Sequence, residues 1–233
     1  GDLVITGEKR PVEAGGDAAH LLVTGRTGEG LTQVLLPGDT PGVSMEPMHS
    51  VDLTRRFSVV SFDAVRVPAE AAVGEIGGAG AAVEQQLRQA LVILAAETVG
   101  AMQAALDMTV EWAFDRYSFG RPLASYQALK HRFADMATWL EAGHAIADEA
   151  ALAVARSAPA AADLASAAKA FLGEYGLELL QDCVQIHGGI GVTFEHDLHV
   201  HLRRATVARA LFGTPADHRR RIADLMIGPE EAG

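Results

Sequence analysis

Residues 115–136 read DRYSFGRPLASYQALKHRFADM, a link of Arg, Phe, Gly, Pro and Gln set between two alanine-rich stretches. Upstream, Leu87, Leu91, Leu94, Thr98, Met102, Ala105, Thr109 and Trp112 recur three and four apart, which predicts one helix over about residues 83–115. At 1.5 Å per residue that helix is about 50 Å long. Downstream, Leu129, Phe133, Met136, Leu140 and Ala147 predict a second helix over about residues 125–156, ended near Pro159. Leu164, Ala168, Phe171, Tyr175 and Leu179 predict a third over about residues 161–185. Beyond Gly188, Gly189 and Gly191, residues 197–210 and about 215–226 read as two shorter helices, with Pro215 well suited to a first helical position. Long helices with short links imply an antiparallel bundle.

The texture before this is different. Residues 3–6, 21–24, 31–36 and 57–67 are short extended runs broken by glycine and proline, the pattern of hairpins. The last run alternates, with Phe57, Val59, Ser61, Asp63 and Val65 on one face and Ser58, Val60, Phe62, Ala64 and Arg66 on the other. Both faces carry apolar side chains, so this strand is expected to be covered on both sides. Four strands alone leave open edges that invite further pairing, so they read as part of a larger sheet. The fold class is therefore α+β: a partial antiparallel β-domain over residues 1–76, then an antiparallel four-helix bundle over residues 77–233.

Composition narrows the partners. The 233 residues carry 19 basic and 30 acidic side chains, a net charge of −11. Nucleic acid and anionic membrane are excluded as main partners, because neither can be neutralised by so few clustered cations. The one cysteine, Cys183, excludes a disulfide framework and a multi-thiolate zinc site, and makes a reducing cytoplasm the expected location. The longest tidy apolar run, residues 90–96, is too short to span a membrane, and residues 1–10 lack a signal-peptide pattern.

Several motifs have plain readings. Gly74, Gly77, Gly78 and Gly80 miss the dinucleotide spacing, since Val83 stands where a further glycine belongs, and they read as a linker. Gly188, Gly189 and Gly191 either end a helix in left-handed geometry or present backbone N–H groups to a phosphate. His187, His196, His199 and His201 crowd one segment, yet only His196 and His199 share a helical face; a solvated face is expected rather than a metal site. Glu141 and His144 have the Glu-x-x-His spacing of di-iron bundles, which need two copies where one is present. Arg116 can be a helix C-terminal charge and Gly120 a simple turn.

Taken together, these motifs resemble the acyl-CoA dehydrogenase family across essentially the whole chain. Residues 3–9 with Val12 and residues 21–23 are similar to the second half of that family's middle β-domain, and residues 65–68 to its exit strand. Arg116, Phe119, Gly120 and Gln127 with residues 134–136, then Gln185, Gly188, Gly189 and Gly191 with residues 203–205, are similar to its helical-domain signatures. The family's N-terminal helical domain and first middle strands have no counterpart here. The resemblance implies FAD as cofactor, with Arg116, Phe119 and Gln127 reaching the FAD of a neighbouring subunit and Arg116 near the pyrophosphate. It implies that Gln185, Gly188 and Gly189 contact the adenine end of the same FAD and that Thr214 touches the chain's own flavin. A shared cofactor site implies a homodimer, a tetramer, or a heterotetramer with a homologous subunit.

The implied chemistry is α,β-desaturation of an acyl-CoA, with electrons passed on to an electron-transfer flavoprotein. The family's base is a glutamate just before a Gly-Thr pair, and that position is Phe212, which accepts no proton. The alternative position on the first long helix matches Ala90, and Glu97 lies seven residues on, about 10 Å along the axis. Three readings stand at this point. One is a subunit that lacks the glutamate and depends on a Glu-bearing partner, resembling the branch acting on steroid side-chain CoA thioesters through residues 193–198. The second is a homo-oligomer with a displaced base. The third is a scaffold that binds no FAD.

Overall fold

The computed structural model describes residues 2–227. They divide into two compact units, the first running to Gln86 and the second from Leu87.

In the first unit, strands β1 (Leu3–Glu13), β4 (Val43–Met48) and β5 (Phe57–Val67) form an antiparallel sheet with β5 in the middle. Strands β2 (His20–Thr27) and β3 (Gly30–Pro37) form a separate hairpin. Leu21, Val23, Val34 and Leu36 of the hairpin bury one core with Val60, Phe62, Val65 and Val67 of β5. Each such aliphatic side chain contributes roughly 1.5–3 kcal/mol when fully buried.

Two expectations need correction here. Strand β4 is absent from the sequence reading because Pro47 and the polar Ser44 and Glu46 disguise it; as an edge strand it tolerates the proline's missing N–H. The alternation in β5 also breaks. Ile5 faces Val65 while Gly7 faces Phe62, so β5 carries one extra residue there, and Ala64 sits at φ +48°. That bulge turns Val65 and Val67 to the buried side with Val60 and Phe62, leaving Asp63, Ala64 and Arg66 exposed. One face of β5 is thus the core face, and the strand is not covered evenly on both.

Helix α1 (Gly80–Asp115) follows, then α2 (Gln127–Ala155), α3 (Ala161–Phe171) and α4 (Leu177–His187), α5 (Leu198–Ala210) and α6 (Pro215–Ile227). Residues 172–176 form a π-helical turn that joins α3 and α4 into one rod, a detail that periodicity alone does not reveal. In the second unit α1, α2, this rod and α5 make the four-helix bundle, with α6 packed along α3. Val99, Met102, Met136, Leu140, Leu179 and Leu198 are central to its core. Glycines let the helices approach: a Cβ on Gly176 would lie 3.0 Å from Thr98 Cγ2 and 3.2 Å from Met102 Sδ. Alanines do the same more mildly, which is why the composition is alanine-rich.

Helix α1 is long and apolar enough, by length and mean hydropathy, to cross a membrane, although no uninterrupted apolar run marks it. Half of that stretch is buried inside the protein, as in any bundle's central helix.

Candidate functional site

The link after α1 is a tight hairpin. Tyr117 and Ser118 pair with Pro122 and Arg121, and the turn residues Phe119 and Gly120 have φ of +51° and +78°. Two consecutive left-handed residues are what a two-residue hairpin turn of the primed type requires. The hairpin is braced on both sides. Leu123 N donates to Arg116 O at 2.8 Å, Tyr126 Oη donates to Ser118 O at 2.7 Å, and the Arg121 guanidinium lies 3.8 Å over the Tyr126 ring. Phe119 is consequently held outward, 97% exposed, in a backbone conformation that a bulky residue rarely adopts. Gln127 opens α2 and donates from Nε2 to His131 Nε2 at 3.0 Å.

A ring stack ties this hairpin to the glycine motif. The exposed Arg116 guanidinium sits 5.8 Å from the Trp112 ring centroid, and Trp112 stacks on His187 at 5.3 Å and 15°. His187 Nδ1 donates to Cys183 O at 2.8 Å, fixing the ring, and burial holds its pKa below the usual imidazole range. Gly188 follows directly with φ +68° and ψ −138°, a conformation essentially reserved for glycine. The three glycines then differ. A Cβ on Gly191 would stand 2.8 Å from Val184 O and 2.9 Å from His187 Cβ, so Gly191 serves packing. A Cβ on Gly189 would meet nothing within 4 Å, so neither packing nor backbone angle asks for glycine there. Gln185, Gly188 and Gly189 are all exposed beside one another.

The second cluster lies at the turn between α5 and α6. Phe212 has φ +59° and is 53% exposed, and Gly213 has φ +107°. Thr214 caps α6 reciprocally with Asp217: Thr214 N and Oγ1 donate to Asp217 Oδ2 at 2.9 and 2.6 Å, and Asp217 N donates back at 3.3 Å. Those bonds hold the Asp217 carboxyl below the ordinary range. The buried His218 donates from Nε2 to Phe212 O at 3.0 Å. Lys169, buried on α3, donates from Nζ to Ala208 O at 2.6 Å and to Arg209 O at 2.9 Å. Burial, with repulsion from Arg209, lowers its pKa to about 8. The sequence reading missed Lys169 and His218. The available signal was a lysine at a core position among Ala165, Ala168 and Leu172.

Of the two α1 residues named above, Ala90 is half-buried and Glu97 forms an ion pair with Arg204 Nη2 at 2.8 Å. The histidines are not a solvated face, as expected above, because His196, His199 and His201 are all half-buried. His196 meets the His187 ring edge-on at 4.6 Å and His199 packs on Phe194 at 4.6 Å; the loop folds back on the bundle. No group of three or more metal-binding side chains occurs among the described residues.

A profile of the acyl-CoA dehydrogenase C-terminal domain matches residues 77–227. Acyl-CoA dehydrogenase IpdE2 of Mycolicibacterium smegmatis is 33% identical over 208 residues, 89% of this chain and 58% of that protein. Acyl-CoA dehydrogenase FadE34 of Mycobacterium tuberculosis is 34% identical over 202 residues, 82% of this chain and 27% of that protein. The butyryl-CoA dehydrogenase structure from Megasphaera elsdenii superposes with a TM-score of 0.90 at 26% identity, covering 97% of this chain and 61% of that one. The chain thus spans little more than half the length of IpdE2 and about three-fifths of that solved structure.

Proposed function

The chain belongs to the acyl-CoA dehydrogenase family, and on that premise we propose that it is one subunit of an FAD-dependent enzyme that desaturates an acyl-CoA thioester, contributing cofactor contacts but no catalytic base. The observation that carries this reading is Phe212. Its backbone is left-handed beside a Gly-Thr pair, in the position where the family's glutamate stands, yet its side chain is a phenyl ring. Glu97, the candidate substitute on α1, is engaged by Arg204. A base must be free to reach the α-proton of the thioester, and neither side chain is suited to that.

The residues present fit a flavin dinucleotide. Arg116 offers a planar set of fixed donors to the pyrophosphate, and its exposed guanidinium is steadied by Trp112. The open space over Gly189 permits close backbone approach, so that Gln185, Gly188 and Gly189 hold the adenine end. Phe119 and Gln127 would reach the FAD of a neighbouring subunit, and Thr214 would touch the chain's own flavin. When bound, the flavin supplies the acceptor for the hydride leaving the β-carbon. A homologous subunit with glutamate in place of Phe212 supplies the base, in a heterotetramer whose electrons leave to an electron-transfer flavoprotein. Steroid side-chain CoA thioesters are the proposed substrate class, and the cytoplasm the proposed location.

Flavin bleaching by an acyl-CoA tests the reading, first with this chain alone and then with its partner. Bleaching only in the mixture is expected. Full turnover by the chain alone would end the division of labour, and a colourless preparation that takes up no FAD would end the cofactor assignment.

A further inference from the structure

Two buried nitrogens converge on the turn that carries Phe212 and Thr214. One comes from α3, where Lys169 donates to the carbonyls of Ala208 and Arg209 in the last turn of α5. The other comes from α6, where His218, 3% exposed, donates to Phe212 O and lies 3.1 Å from where a Cβ on Gly213 would stand. Helix ends are ordinarily satisfied by their own following residues or by water. Here α3 supplies the donor to the last carbonyls of α5, and α6 supplies the donor to the turn carbonyl of Phe212. An ammonium group is costly to bury unless its protons are satisfied, and the carbonyl end of a helix is where a cation is best tolerated. The left-handed backbone at Phe212 is disfavoured for a residue of that bulk, so an unheld turn would relax toward other conformations.

We propose that Lys169 and His218 are positioning residues that lock the α5–α6 turn, so that the directions of residue 212 and Thr214 are set by two buried donors and not by the side chain at 212. This explains how the turn keeps its form with phenyl in place of a carboxylate. What the turn is for rests on the function proposed above; the lock itself stands on the hydrogen bonds.

Hydrogen exchange on the purified protein tests it, because protected amides mark both ends of the turn. Leu211 N donates to Val207 O at 3.1 Å and Thr214 N to Asp217 Oδ2 at 2.9 Å. In His218→Leu both amides are expected to exchange about tenfold faster while those of α2 are unchanged. His218→Gln, which keeps a side-chain N–H, is expected to return them to within about threefold of the parent. Lys169→Met is expected to speed the Leu211 amide, and carries the same test should His218→Leu not fold. Unchanged rates in the apolar variants, equal loosening of α2, or a glutamine variant as loose as leucine would overturn the lock. Flavin absorbance is read on the same samples. If the turn loosens as expected while bound flavin stays constant throughout, the lock stands and the turn's assignment to the cofactor site falls.

Discussion

The hairpin around Arg116 and the turn around Phe212 both hold a phenylalanine in left-handed geometry, yet they are held by different means. Phe119 is fixed by neighbours in sequence, through the Leu123 amide, the Tyr126 hydroxyl and Gly120. Phe212 is held in part from nearby, by His218 six residues on bonding its carbonyl, and in part from a distance, by Lys169 some forty residues back bonding Ala208 O and Arg209 O just before the turn. Local bracing can be read from a motif. Remote bracing leaves no pattern along the chain. Under the function proposed above, the contrast also separates roles: the first region would present exposed polar and backbone groups to a ligand, whereas the second would keep its shape without a base of its own.

The largest expected effect lies in the first region. If Arg116 holds the pyrophosphate as proposed, Arg116→Ala removes charge-assisted bonds worth roughly 1.5–3 kcal/mol, so flavin affinity of the assembled protein should fall about ten- to hundredfold. Arg116→Lys should recover only part of it, since an ammonium cannot match two phosphates with fixed donors. FAD titration by fluorescence reads both. Equal affinity in all three proteins would strip the hairpin of its assigned role and leave it a plain turn.

The glycines sharpen the same contrast. Gly191→Ala forces a methyl against Val184 O and His187 Cβ, and should destabilise the bundle by about 1–3 kcal/mol in urea unfolding with FAD absent. Gly189→Ala should leave unfolding within about 0.5 kcal/mol of the parent, since its methyl meets open space. Its effect should appear in FAD titration instead. If Gly189→Ala destabilises the bare protein as much as Gly191→Ala, the open space has been misassigned.

Legibility followed the reach of the interactions. The long helices could be read because Leu91, Leu94, Thr98, Met102 and Thr109 recur at helical spacing, and all five are buried. Strand β4 could not, because Pro47 hides an edge strand; nor could the bulge at Ala64, because alternation presumes a regular pleat. The π turn at residues 172–176 sits where Gly173 approaches Pro215 and Gly176 approaches Thr98 and Met102, residues far away in sequence that periodicity does not register. In the candidate site, the glycines and Arg116 stand out as residue types. The stack of Trp112 on His187 and the bonds of Lys169 join residues 75 and about 40 apart, and no spacing rule reaches that far.

The remote bracing has a pH signature. Lys169 has a folded pKa of about 8, below its ordinary 10.5. Between those values the unfolded chain carries a proton that the folded chain has released, so this lysine's contribution to stability rises with pH through that window. Below about pH 8 both states are protonated and its contribution is flat and least favourable. The difference in urea midpoint between the parent and Lys169→Met should therefore move in the parent's favour from pH 7.5 to 9.5, measured with about the same background of other groups. A constant difference would mean that the ammonium is hydrated, and with it the remote brace would lose its buried character.

The smallest effect concerns the carboxylate that could blur the comparison by acting as a displaced base. Glu97 and Arg204 form a half-exposed pair, and such pairs contribute about 0.2–1 kcal/mol. Glu97→Gln keeps the shape and a hydrogen-bonding oxygen while removing the charge. If the ion pair is its whole role, the variant loses no more than that stability, and turnover of the assembled enzyme changes by less than about twofold. A base, by contrast, contributes about a hundredfold or more, which no effect on the ion pair could imitate. Turnover at saturating thioester therefore decides between the two roles. A fall of that size would move the proton-accepting group onto α1 and leave the turn at Phe212 with only a structural part.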